Sequence, residues 1–101
     1  MVEEERMIPG SVSKLSEATV ASASTITAKA DIVHVTGSTI INTIIPGLGT
    51  AVSQFLVLQS AVGISLGTSG NILQGIAIAQ NRPVFLVWSK TLQKWLINSG
   101  A

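Results

Sequence analysis

Residues 31–45 read Asp31-Ile32-Val33-His34-Val35-Thr36-Gly37-Ser38-Thr39-Ile40-Ile41-Asn42-Thr43-Ile44-Ile45, and this stretch decides the fold class. It is dominated by β-branched side chains, which favour strand over helix. Gly37-Ser38 is a turn signal between two strands. Residues 39–45 alternate only in part. Ile40-Ile41 and Ile44-Ile45 come as pairs around Asn42-Thr43, which predicts a bulge or a strand buried on both faces.

The same stretch opens a longer feature. Between Asp31 and Arg82 there is no Asp, Glu, Lys or Arg, and His34 is the sole titratable side chain. A small soluble domain normally scatters both signs of charge over its surface. A membrane-spanning helix would need about 20 consecutive apolar residues, and here Gly, Asn, Gln and Pro cut the apolar runs every few positions. The segment reads instead as short strands with Ser, Thr, Asn and Gln facing outward. Much of that uncharged surface is expected to lie against other copies of the chain or a partner.

Strand signals continue on both sides. Upstream, residues 19–22 and 25–28 are small and β-compatible. Downstream, residues 52–60 (Val-Ser-Gln-Phe-Leu-Val-Leu-Gln-Ser) form the strongest central strand, and Val62, Ile64 and Leu66 share one face of the next. Residues 76–79 make another short strand. A C-terminal hairpin runs through residues 83–88, a connection at 89–93, and residues 94–98. The β-branched residues, Phe55 and the close glycines argue against a helix over residues 52–63. Short strands at regular spacing with Gly-bearing turns predict an all-β fold, a small antiparallel sandwich or barrel.

With 101 residues there is room for one domain. Residues 1–17 read as an extended N-terminal arm, and residues 18–101 as the β domain. Four of the five acidic residues lie in the arm, which Pro9-Gly10 punctuates. The N-terminus is acidic where a secretory signal would be basic, so synthesis in the cytoplasm is expected. A net charge of +1 gives no argument for nucleic acid or an anionic membrane as partner. Without cysteine, disulfides and thiolate metal sites are excluded.

No catalytic constellation stands out. With a single histidine in the chain, no nucleophile–base pair stands out. Gly67-Thr68-Ser69-Gly70 lacks the following Lys-Ser or Lys-Thr of a phosphate loop and reads as a turn. His34 could complete a metal or anion site only where several copies met at an axis, and a plain hydrogen-bonded strand residue is the simpler reading. No enzyme activity, cofactor, metal or small-molecule substrate is expected. Phe55, Trp88 and Trp95 read as subunit-interface or core anchors, since tryptophan is enriched at binding hot spots and in small cores alike.

Residues 28–44, with Val35-Thr36-Gly37-Ser38-Thr39 running into Ile40-Ile41-Asn42-Thr43-Ile44, resemble a phrase common in tailed-phage structural proteins: a "val-thr-gly-thr-thr" turn followed by "ile-thr-thr-ile". Gln54-Phe55-Leu56-Val57-Leu58, Gly70-Asn71-Ile72-Leu73, and Val84-Phe85-Leu86-Val87-Trp88 with Trp95 follow in the order those proteins show. The similarity spans residues 19–98. It departs at Lys90-Thr91-Leu92-Gln93-Lys94, which replaces the usual Asp-Gly or Asn-Gly turn and leaves the final turn type open.

The resemblance implies a trimer-forming β module of capsid decorations, head fibres or tail fibres. Fibre chains are much longer, so a chain of this length is expected to be a capsid decoration (cement) protein on the outer surface of the virion. Its partners would be the major capsid protein and itself, as a homotrimer, with Glu3, Glu4, Arg6, Ile8 and Leu15 of the arm gripping the capsid. The alternative is a receptor-binding or structural module of a head or tail fibre, with Trp88, Trp95 and Asn98 clustered on an exposed face.

Overall fold

The computed structural model describes residues 15–97. Among them there are nine strands and no helix: β1 (Glu17–Ala21), β2 (Thr25–Thr27), β3 (Ile32–Thr36), β4 (Thr43–Ile45), β5 (Phe55–Ser60), β6 (Ile64–Leu66), β7 (Ile76–Ile78), β8 (Val84–Ser89) and β9 (Lys94–Ile97). Each segment read as a strand overlaps one. Glu17 is already the first residue of β1, so the β fold starts inside the segment assigned to the arm.

Strand direction is where the sequence reading is corrected. The main sheet has the order β1-β3-β5-β8-β9, and β1, β3 and β5 run parallel, with Glu17 opposite Ile32 and Ile32 opposite Val57. β2 and β4 are parallel too. Only β6–β7, β5–β8 and β8–β9 are antiparallel. The cause is the single short strand inserted after β1 and after β3. β2 carries the chain away after β1, and β4 does so after β3, so each return re-enters the main sheet in the same direction. Alternation and turn residues mark strands but carry no direction. The first half of the chain is thus a parallel coil, and antiparallel hairpins close the second half.

The paired isoleucines also find their explanation. Ile41 and Ile44 are both fully buried while Ile40 and Ile45 are exposed, a spacing of three that a regular strand cannot provide. The N–H groups of Asn42 and Thr43 both donate to the Ser24 carbonyl, at 2.8 and 2.9 Å, a bulge that rotates the chain by one residue. Ile41 then bridges Leu66 in β6.

One core joins the three sheets. Val33 and Val35, Leu56 and Leu58, and Val84, Leu86 and Trp88 face inward from the main sheet. They meet Ile26, Ile44, Ile64, Leu66 and Ile78 of the small sheets. Trp88 and Trp95 lie directly opposite each other on this inner side, 2% and 0% exposed, edge to face with ring centroids 5.4 Å apart. Both indoles have partners: Trp88 Nε1 donates to the Thr50 carbonyl (3.0 Å) and Trp95 Nε1 to the Ile44 carbonyl (2.9 Å). Such a pair adds about 1 kcal/mol beyond its area.

The open question of the final turn resolves at Gln93. It takes the left-handed backbone conformation, φ 55°, where Gly usually sits. Its side-chain amide holds it there by donating to the carbonyls of Lys90 and Thr50, at 2.8 and 2.9 Å.

Candidate interaction face

The five-stranded sheet has a second face, and its chemistry follows from two unbroken apolar runs, Phe55-Leu56-Val57-Leu58 and Val84-Phe85-Leu86-Val87-Trp88. Side chains alternate across a strand. With Leu56, Leu58, Leu86 and Trp88 inside, Phe55, Val57, Phe85 and Val87 must point out. Register aligns them in two rows, Ile32–Val57–Phe85 and Phe55–Val87–Leu96. Phe55 is 55% exposed, Phe85 43%, Val87 41% and Leu96 38%. The two phenyl rings touch diagonally, 5.7 Å between centroids. A contiguous apolar patch on an otherwise polar face is the usual mark of an interaction surface.

A polar row borders the patch: Thr19–His34–Gln59. His34 Nδ1 lies 2.8 Å from Gln59 Oε1 and Nε2 lies 2.7 Å from Glu17 Oε1. Gln59 Nε2 donates in turn to Asn81 Oδ1 at 3.2 Å. Both ring nitrogens thus face oxygen acceptors, an arrangement made whole by the doubly protonated ring. The Gln59 carboxamide, then the Glu17 carboxylate, hold the His34 pKa above its ordinary value. The network ties β1, β3 and β5 together side by side. No group of three His, Asp or Glu side chains with metal-binding placement occurs among the described residues.

A cleft of about 370 Å³ opens below the patch, between the 28–31 turn, the 47–54 loop and the start of β5, with Leu48, Phe55 and Lys29 among its walls. Asp31, also on the wall, is already engaged: its Oδ2 accepts from both the N–H and the hydroxyl of Ser16, each at 3.0 Å. That clasp fixes the start of β1 to the start of β3.

The residues predicted from sequence separate. Trp88 and Trp95 are core. Phe55 alone of the three is on the outer face, at its junction with the cleft. Leu15 is exposed. Glu3, Glu4, Arg6 and Ile8 lie outside the described residues, as does Asn98. Sequence reasoning missed Ile32, Val57, Phe85, Val87 and Leu96 as members of a face. The available signal was the lack of alternation in the two apolar runs, which says that both sides of a strand are meant to be covered.

No protein-family model matches this chain, and no curated protein or solved structure matches it. What is shown is the class: an all-β domain of mixed sheets, with an apolar patch on the outer face of its main sheet.

Proposed function

We propose that this chain works by adhesion, without catalysis, as a capsid decoration protein of a tailed phage. It would sit on the outer surface of the virion and bridge neighbouring capsomers, with the major capsid protein and further copies of itself, in a homotrimer, as partners. Nucleic acid, membrane and small-molecule substrates have no part in this reading. The observation that carries it is the uncovered apolar face of the main sheet. A protein that must stay free in solution covers or charges such a face, whereas an adhesive one presents it. The phrase-by-phrase resemblance over residues 19–98 supplies the virion context.

In this mechanism the β domain provides the trimer, and the segment holding Glu3, Glu4, Arg6, Ile8 and Leu15 reaches the capsid. Three such segments per trimer act multivalently, so modest single contacts combine into tight holding. The fibre-tip alternative asks for Trp88 and Trp95 on an exposed face, and both side chains are in the core.

The test is binding of purified full-length protein to expanded capsids that lack it, alongside a variant deleted for residues 1–14, which leaves β1 whole. Saturable binding at many sites per shell, lost on deletion, is the expected result. Failure of the intact protein to bind overturns the reading.

A further inference from the structure

We propose that the outer face of the main sheet is where this chain meets a second copy of itself, through Phe55, Phe85, Val87 and Leu96. A face meeting the same face of a second copy is a two-fold contact, separate from the three-fold one of the trimer above, and it does not depend on a capsid, because it succeeds or fails in purified protein.

The argument rests on what the face can and cannot pair with. It carries three charged side chains at its margins, Glu17, Lys94 and the doubly protonated His34, and all are already engaged. Glu17 is turned onto His34, and Lys94 Nζ donates to the Gly70 carbonyl at 3.1 Å. The rows between them hold no charge. An acidic or basic partner therefore finds no counter-charge within the apolar rows. The surface that fits is flat, apolar and uncharged, and this chain supplies one in the same face of another copy.

Area points the same way. The exposed parts of two phenylalanines, a valine and a leucine amount to a few hundred Å², the size of the largest patch on an ordinary monomer. That is too little on one side for a stable contact with a surface of average polarity. When the same patch supplies both sides, the buried apolar area doubles. With rim residues such as Gln59 and Ser89 added, the total reaches the roughly 1,000 Å² that specific interfaces need. Two twisted sheets meeting face to face pack about 10 Å apart with interleaved side chains. Here Phe55 and Phe85 stand highest and would be the interleaving groups.

The experiment is sedimentation of the full chain from micromolar to several hundred micromolar, compared with a Phe85→Glu/Val87→Lys double variant. The wild type should associate, and the variant should weaken association by about ten-fold or more. An Ile45→Lys variant, exposed on β4 of a small sheet on the other side of the core from the face, should behave as wild type. Near-ultraviolet dichroism of the Trp88–Trp95 pair reports whether each variant is folded. If the double variant loses that signal, Leu96→Lys on β9 makes the same test with one change. A wild type monomeric at every concentration overturns the proposal, and so does association that the face variants leave unchanged. A monomer that binds capsids through Phe85 also overturns it, and assigns the face to the capsid.

Discussion

Asn71 does the work of a missing strand. Its Oδ1 accepts from the Ile44 N–H at 2.9 Å and its Nδ2 donates to the Ile44 carbonyl at 2.7 Å. Its own carbonyl accepts from the Trp95 N–H at 2.8 Å. One residue thus links β4 to β9, which do not pair with each other. Replacing Asn71 with Ala leaves the N–H of fully buried Ile44 without a partner, which costs about 1–3 kcal/mol. Urea unfolding of Asn71→Ala should show that loss, and a change below about 0.5 kcal/mol, the level of a neutral surface substitution, would refute the role. His34 gives a second residue-scale prediction, with a definite sign. Its folded pKa is raised, so its stabilising contribution is whole below the unfolded value of about 6.5 and is lost as pH rises through the folded value. The denaturation midpoint should therefore fall as pH rises from about 6 toward 8. His34→Gln, removing the chain's one histidine, should flatten that slope. An unchanged slope would sink the assignment. Neither role was legible in sequence: Asn71 reads as a turn residue and His34 as a plain strand position, because their partners lie 27 and 17–25 residues away.

At the scale of elements, β1 is an edge of the main sheet among the described residues, and its hydrogen bonding has a fixed parity. Ile32 N–H donates to the Ser16 carbonyl and Ser22 N–H to the Thr36 carbonyl. In a parallel ladder alternate residues bond to the same neighbour. Ala18 and Val20 therefore use their backbone groups on β3, while Glu17, Thr19 and Ala21 point theirs to the open edge. Proline is tolerated only where a strand N–H faces outward. Thr19→Pro should leave the fold near wild-type stability, whereas Val20→Pro should lower the melting temperature sharply. Equal effects of the two would mean that the parity is wrong or that the edge is occupied. The strands themselves were readable from β-branched content and glycine punctuation. Their parallel direction was not, because it depends on where β2 and β4 send the chain, and the bulge at Asn42–Thr43 depends on which isoleucines find the core.

For the whole molecule, one cluster of buried side chains spans all three sheets. The small sheets have two strands each and are too small to stand alone. The domain should therefore unfold in one step: tryptophan fluorescence and far-ultraviolet dichroism should give coincident denaturation curves. Curves separated along the denaturant axis would show that the parallel coil and the antiparallel hairpins are independent units.

By itself the sequence determined that this chain is all-β, where its strands lie, and that its long middle carries no Asp, Glu, Lys or Arg. Those are local matters, fixed by side-chain branching, by glycine and by the spacing of charge. The tertiary structure alone decided that the first half coils in parallel, that both tryptophans go inside, and that Phe55, Phe85, Val87 and Leu96 share one exposed face. An apolar strand with two apolar sides has no preference of its own for which side is buried. That choice is made when the small sheets close over one side and leave the other open.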